Sequence, residues 1–195
     1  MKKLLMSIAI VFLILSAGTV QAAQWKIDPA HSAIRFDIKH IFSIVSGHFS
    51  EFEADLVFDP QNLSNARIDF SVNVKSINTS NGKRDTHLRS KDFFDADTFS
   101  VMTFKSSSIT HVKDNLYALE GMLAIKDVQQ SIAIEFNFYG PKAHPFDKKS
   151  DVAGFDTSFE INRLDFHVGD GKFYKMGVVG DMVMVRISVE ALTGK

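Results

Sequence analysis

The chain has 195 residues and a formal net charge of −1, with 22 basic and 23 acidic side chains. Both signs are interspersed along the chain, so we expect no binding to the phosphate backbone of a nucleic acid. The absence of cysteine excludes disulfides, thiolate zinc sites and a lipid anchor attached to a cysteine.

Residues 1–22 have the pattern of a cleavable signal peptide. Two lysines precede an apolar run at residues 4–15, and small residues stand at the −3 and −1 positions of a cleavage site after Ala22. A membrane anchor is the alternative, but a spanning helix needs about 20 apolar residues and polar residues interrupt this run too early. We therefore predict a secreted protein with no stable membrane anchor and a single domain at residues 23–195.

The domain alternates between apolar and polar residues with a period of two. Ile34, Phe36 and Ile38 alternate with charged residues in the first such segment, which predicts a strand with one buried face. The same alternation recurs along the chain and predicts further half-buried strands. The predicted strands cover residues 34–40, 51–58, 67–74, 132–138, 155–161 and 182–192.

Turn-forming residues separate the predicted strands, and one segment breaks the alternation. Residues 82–94 predict a short helical insertion, which Ser80 or Asn81 is suited to cap. The turn signals are Asp59-Pro60, Asn81-Gly82, Asp114-Asn115, Gly140-Pro141, Gly169-Asp170-Gly171 and Gly180-Asp181.

Many antiparallel strands with one apolar face predict an all-β fold, either a barrel or a sandwich, and the pattern alone leaves both open. An outer-membrane barrel also alternates, but it needs girdles of Trp and Tyr at both membrane interfaces. One Trp and three Tyr cannot supply them, so we do not expect a membrane barrel.

The usual signatures of metal binding and catalysis are missing. The seven histidines include no closely spaced pair of the kind found in zinc sites. No G-x-S-x-G elbow and no phosphate-binding loop occurs. The residue patterns therefore give little support for a metal site or for nucleophilic catalysis.

Polar residues cluster around the helical insertion and after one strand. Loop-to-loop contacts are the simpler explanation of such clusters, and binding of an anionic head group by guanidinium groups and helix N-terminal amides is the alternative. The first cluster contains Lys83, Arg84, Asp85, His87, Arg89 and Asp92, and the second contains Asn162, Arg163 and Asp165.

Phenylalanine is the one compositional excess, with 18 residues. An apolar strand face normally packs as core, which is the simplest interpretation of these rings. Their number, with adaptable Met102, Met122, Met182 and Met184, also suits a cavity that conforms to a long flexible chain.

Three separated blocks resemble the YceI-like family, and together they span residues 25–192. The first block is W-K-I-D-P-A-H-S-A-I-R-F-D-I-K-H at residues 25–40, followed by S-x-V-x-G-x-F at residues 43–49. The second is R-D-x-H-L-R-S-x-D-F-F-D at residues 84–95 with F-K-S at residues 104–106. The third combines Gly154-Phe155, Ile161-Asn162-Arg163, Asp165-Phe166 and Gly180-Asp181-x-Val183. The chain departs from the family at Ser100, where Pro is common, and at residues 127–131, where a G-x-T-K-P-like turn is common.

The resemblance implies an eight-stranded antiparallel lipocalin-like barrel in the periplasm, which binds a polyisoprenoid, an isoprenoid quinone or a similar long-chain amphiphile in its lumen. It implies no catalysis, so we expect no enzymatic activity, no metal and no cofactor. On this basis we predict two sets of ligand-binding residues. The pore lining is predicted to be Phe36, Ile38, Phe52, Phe70, Val72, Phe104, Ile134, Phe136 and Phe159. The mouth, which would hold the head group, is predicted to be His40, Arg84, Asp85, His87, Arg89 and Asp92.

Two other functions stay open on the sequence. A filled barrel would suit a stress-related periplasmic adaptor protein. An enzyme acting on an isoprenoid head group would use His87 or His40 as general base, oriented by Asp85 or Asp92. A homodimer through an edge or rim contact also stays open.

Overall fold

The computed structural model describes residues 23–194, so the predicted signal peptide lies outside the described residues. Eleven strands and two α-helices account for most of this range. The strands are β1 (Gln24–Ile27), β2 (Ala33–His40), β3 (Ser43–Phe49), β4 (Phe52–Val57), β5 (Arg67–Asn73), β6 (Ile77–Asn78), β7 (Val101–Lys113), β8 (Leu116–Ile125), β9 (Val128–Ala143), β10 (Ser150–Asn162) and β11 (Val179–Gly194). The helices are α1 (Gly82–Arg89) and α2 (Lys172–Lys175).

The strands close into an antiparallel barrel of eight positions. The chain bends between β1 and β2, so that both strands pair with β11 and occupy one position of the wall. β3 and β4 share the next position, because β3 pairs with β2 and β4 pairs with β1. β5 and β6 share the one after it, because β5 pairs with β4 and β6 pairs with β3. The predicted all-β barrel is confirmed, and the sandwich is excluded.

The predicted strands are confirmed, but two of the predicted turns are wrong. Asp114-Asn115 does join β7 to β8. Gly140-Pro141 and Gly180-Asp181 lie inside β9 and β11, next to register shifts in the ladders. Residues 169–171 do separate β10 from β11, and they lead into α2. Glycine marks bulges as well as turns, and here the long strands continue through the bulges.

The predicted helical insertion is confirmed as α1, which is shorter than predicted and is followed by turns up to residue 99. Asn81 is the N-cap, because its side-chain oxygen accepts a hydrogen bond from the backbone N–H of Arg84 at 3.1 Å. Leu88, Phe93 and Phe94 turn their apolar side chains toward the barrel interior. We call the side of the barrel that carries α1 and α2 the helix end.

The opposite half of the barrel holds a solid aromatic core, and we call it the core end. Phe58 is fully buried, and its ring centroid lies 4.7 Å from that of Phe138 and 5.1 Å from that of Tyr117. The indole N–H of Trp25 donates a hydrogen bond to the Phe58 carbonyl oxygen at 2.8 Å. This buried bond satisfies two polar groups and fixes β1 over the core.

Phe58→Ala is expected to lower the free energy of unfolding by about 3–5 kcal/mol, because it leaves a cavity among rings held by the surrounding sheet. Urea unfolding followed by tryptophan fluorescence measures this loss, since Trp25 contacts the same cluster. A loss below about 1 kcal/mol would contradict the placement of Phe58 at the centre of the core.

Candidate functional site: an apolar cavity at the helix end

A cavity of about 560 Å³ occupies the half of the barrel toward the helix end. Its size falls within the roughly 300–1,000 Å³ of ligand pockets. Phe136 and Phe155 belong both to the aromatic core and to the cavity lining, so they form its floor. The inward faces of the long strands form its wall, and side chains from α1, the turns after it and α2 lie across the far side.

Burial differs sharply between the two halves of the barrel interior. Phe58 and Phe136 at the core end are buried, whereas inward-facing Phe36, Phe104 and Phe159 are only half-buried. Inward side chains in a filled interior touch neighbours on every side and lose nearly all exposure. The half-buried rings therefore line open space, and the solid interior that a filled-barrel adaptor requires is not found.

Two glycines keep the cavity wide. Gly47 lies opposite Phe36 in the β2–β3 ladder, and a Cβ atom there would come within 2.3 Å of the Phe36 ring. At Gly121 a Cβ atom would come within 2.4 Å of the Phe104 ring. Without Cβ atoms at these two positions, both rings lie against the barrel wall instead of standing across the lumen.

Eight of the nine residues predicted to line the pore line this cavity, and Phe52 does not. Phe52 starts β4 directly after the bend that follows β3. There the β2–β3 and β1–β4 pairs diverge, and Phe52 lines a groove along that seam with Trp25 and Ala54. A ligand-binding role for the other eight stays a prediction.

Three of the six residues predicted at the mouth line the cavity: His40, Arg84 and His87. Arg84 is held in place, because its guanidinium donates hydrogen bonds to Thr79 Oγ1 at 2.7 Å and to the Thr79 carbonyl at 2.8 Å. His87 Nε2 lies 3.0 Å from Asp92 Oδ2, and both side chains are exposed. The predicted pairing of His87 with Asp92 is thus present, at the surface of α1.

Asp85 and Arg89 do not line the cavity and instead hold α1 in position. Buried Asp85 accepts hydrogen bonds through Oδ1 from the backbone N–H of Thr79 at 2.9 Å and from its hydroxyl at 2.6 Å. Arg89 donates hydrogen bonds to the carbonyl oxygens of Lys75 at 2.9 Å and Ile77 at 2.8 Å. Sequence spacing alone does not separate such structural contacts from a binding role.

Arg163, in the second polar cluster, ties together the loops at the helix end. Arg163 is 5% exposed, and its guanidinium donates hydrogen bonds to the carbonyl oxygens of Gly180 at 2.8 Å and Val168 at 2.6 Å. Its Nη2 has no hydrogen-bond partner among residues 23–194. Burial lowers the pKa of this guanidinium, and the nearby charges of Asp181 and Asp170 oppose that shift. Arg163 thus joins the end of β10 to the start of β11.

Several lining residues were absent from the predicted pore set. Val183, Val185 and Ile187 alternate along the predicted strand at residues 182–192, and this alternation is a sufficient signal for the face that lines the lumen. Phe93, Phe94 and Phe173 come from α1-flanking turns and α2. No periodic pattern marks residues outside strands, so the sequence carried no signal for them.

A separate group of titratable side chains lies on the outer surface before β2. His31 Nδ1 is 2.7 Å from Asp28 Oδ2 and 3.9 Å from Glu190 Oε1. The hydrogen bond between His31 and Asp28 raises the pKa of His31 and lowers that of Asp28. Asp28 also accepts a hydrogen bond from the backbone N–H of Ala30 at 2.9 Å, so this group caps the turn between β1 and β2.

The closed antiparallel barrel, solid at one end and hollow at the other, defines the protein as a lipocalin-like barrel with an internal apolar cavity. The YceI-like domain model matches residues 25–191, and the chain belongs to that family. Protein YceI of Salmonella arizonae and that of Salmonella newport are each 30% identical to the chain over 198 residues, covering 100% of both partners.

Solved structures share the architecture. BcnA of Burkholderia cenocepacia is 26% identical and superposes with a TM-score of 0.77 over 84% of this chain and 98% of that one. The YCEI protein of Campylobacter jejuni is 28% identical, with a TM-score of 0.69 over 80% of this chain and 90% of that one. A polyisoprenoid-binding domain from Saccharophagus degradans, 14% identical, has the same fold with a TM-score of 0.65, over 90% and 99% of the two chains.

Within residues 23–194, neither helix has the length and apolar character needed to cross a bilayer.

Proposed function

We propose that the protein is a periplasmic carrier that holds the hydrocarbon chain of a polyisoprenoid or similar amphiphile in its lumen. The observation that carries this proposal is the apolar cavity of about 560 Å³, closed at its floor by the aromatic core. A cavity of this kind excludes water from a chain threaded along it. The signal-peptide pattern of residues 1–22 supports secretion.

The energetics favour a long chain over a compact ligand. Each methylene moved from water into an apolar lumen gains about 0.8 kcal/mol. Association costs roughly 4–15 kcal/mol, so about 20 buried carbons are enough for tight binding. The half-buried phenylalanine rings of the wall adapt to such a chain by small rotations.

One structural neighbour supports an isoprenoid ligand. The Saccharophagus degradans domain of the same fold is described as polyisoprenoid-binding. In this protein Lys83, Arg84 and His87 line the helix-end side of the cavity, where a head group would lie when the chain points toward Phe136. These side chains suit an anionic or hydrogen-bond-accepting head group.

Mass spectrometry of an organic extract of protein purified from the periplasm tests the proposal. We expect a co-purifying lipid in near-stoichiometric amount, released only when the barrel is denatured or extracted. Recovery of no lipid, together with failure of the extracted protein to take up prenyl alcohols, would contradict a carrier function.

Affinity is expected to depend steeply on ligand length. In a series of straight-chain alcohols, each added methylene lowers Kd about fourfold until the lumen is full, because it contributes about 0.8 kcal/mol of burial. Competition with a fluorescent fatty acid measures this series. A Kd that is independent of chain length would place binding outside the lumen.

The contact between His87 and Asp92 favours one second candidate, an enzyme acting on a prenyl phosphate head group. His87→Gln separates the two functions. For a carrier it alters affinity for prenyl phosphate modestly, whereas for an enzyme it eliminates turnover that the unaltered protein shows. Absence of phosphate release by the unaltered protein would remove this candidate.

A further inference from the structure

Large apolar side chains project from the helix end into solvent, beside the cavity. Phe42 is fully exposed, at 101% of its reference area, and Ile44 and Met176 are each 62% exposed. Ile41 and Tyr174 are also exposed. We call these five residues, Ile41, Phe42, Ile44, Tyr174 and Met176, the apical patch.

The two segments of the apical patch are held together at the cavity rim. The backbone N–H of Ile41 donates a hydrogen bond to the Val178 carbonyl oxygen at 3.0 Å, and His40 pairs with Val179 in the β2–β11 ladder. His40, Val178 and Val179 line the cavity. The apical patch is therefore continuous with the rim.

The turn between β2 and β3 has residue types that do not suit its backbone conformation. His40 pairs with Ser43, which leaves Ile41 and Phe42 as a two-residue turn, and Ile41 has a left-handed φ of 50°. Such turns favour Asn, Asp or Gly, and a β-branched residue is strained there. The β7–β8 turn at the core end uses the ordinary pair Asp114-Asn115. Neither solubility nor turn geometry explains an exposed Ile-Phe pair, so its explanation lies in a contact.

The charges beside the apical patch in the sequence favour an anionic membrane surface as its partner. The segments that carry the apical patch, residues 39–44 and 172–178, contain Lys39, Lys172 and Lys175 and no acidic residue, while Asp170 and Asp181 lie just outside them. Exposed apolar side chains with lysines among them fit a membrane surface, where the apolar side chains enter the acyl boundary and the lysines meet anionic phosphates. We propose that the apical patch docks the barrel on anionic phospholipid membranes, with the cavity rim facing the bilayer. Docking itself does not depend on the carrier function; only the transfer of lipid between cavity and membrane rests on the proposed function.

Flotation with vesicles tests this docking. The probes are vesicles of phosphatidylethanolamine with phosphatidylglycerol and, for comparison, vesicles of phosphatidylcholine. We expect the protein to float with the anionic vesicles and much less with the neutral ones. Phe42→Ser combined with Ile44→Ser is expected to reduce the partition coefficient at least about tenfold, because two large apolar side chains no longer enter the bilayer.

Phe146 provides the matched control, since it is 92% exposed in the β9–β10 connection at the core end. Phe146→Ser is expected to leave vesicle binding unchanged. An equal loss from the control variant, or no binding of the unaltered protein to anionic vesicles, would overturn the docking proposal.

Uptake of a prenyl alcohol from detergent solution separates the two proposals, because it remains normal in the Phe42/Ile44 variant if only docking is lost. Failure of that uptake in the unaltered protein would instead contradict the carrier function.

Discussion

Gly47→Ala is expected to weaken binding of a long-chain lipid at least about tenfold while leaving the barrel folded. The added Cβ would come within 2.3 Å of the Phe36 ring and 2.9 Å of Thr79 Cγ2, so the methyl group has no free direction. The Phe36 ring can relieve this clash by rotating into the lumen, where it occupies space that the chain needs. Overpacking of this kind costs about 1–3 kcal/mol. Here it lowers the free energy of binding, because the displaced ring and the lipid chain compete for the same space. Competition with a fluorescent lipid measures the change in Kd.

Two further variants make this result specific to the lumen. Gly154→Ala is the control, because a Cβ there meets its nearest atom, Tyr139 Cδ2, at an ordinary 3.6 Å. Phe36→Leu added to Gly47→Ala is expected to restore affinity by removing the displaced ring. Unchanged affinity of Gly47→Ala, or equal losses in the control, would contradict the view that Gly47 sets the width of the cavity.

Phe159→Asp is expected to raise Kd for a long-chain lipid at least about a hundredfold, which is the second large effect. Phe159 faces the lumen and is only half-buried, so the carboxylate stays hydrated in the empty barrel. A hydrocarbon chain threaded past it would strip that hydration from a charge without supplying a partner. Isothermal titration with a long-chain alcohol checks the loss.

Ser158→Asp is the matched control for this charge, since Ser158 is the neighbouring exposed residue on the same strand. Successive side chains of a strand point to opposite faces, so the same charge then points into solvent. Near-normal affinity is expected for Ser158→Asp. If both variants bind equally well, the chain does not pass along the inner face of β10.

The alternation of side chains was sufficient to predict six segments of the barrel wall, whereas β7 and β8 were not among the predicted strands. Phe36 and Phe70 stand on predicted strands, and both line the cavity. The number of strands and their closure came from the family resemblance, because alternation is equally compatible with a sandwich. Phe52 shows the limit of the rule, since a bend at the start of β4 places it at a seam in the wall.

The mouth was harder to predict because its residues are not periodic. Asp85 and Arg89 belong to the same polar run as Arg84, yet their hydrogen bonds with Thr79, Lys75 and Ile77 hold the helix in place. Whether a polar group on such a segment meets the cavity depends on tertiary contacts that no local pattern encodes. The presence of a cavity could not be predicted for the same reason, because it depends on packing between strands that are distant in the sequence.

A crystal structure of the protein saturated with a long-chain alcohol bearing a terminal bromine tests the central claim most directly. The account predicts continuous density along the lumen between Phe36, Phe104 and Phe159, with the anomalous bromine peak near the floor at Phe136. A lumen filled by its own side chains, with the bromine peak on the outer surface, would contradict it.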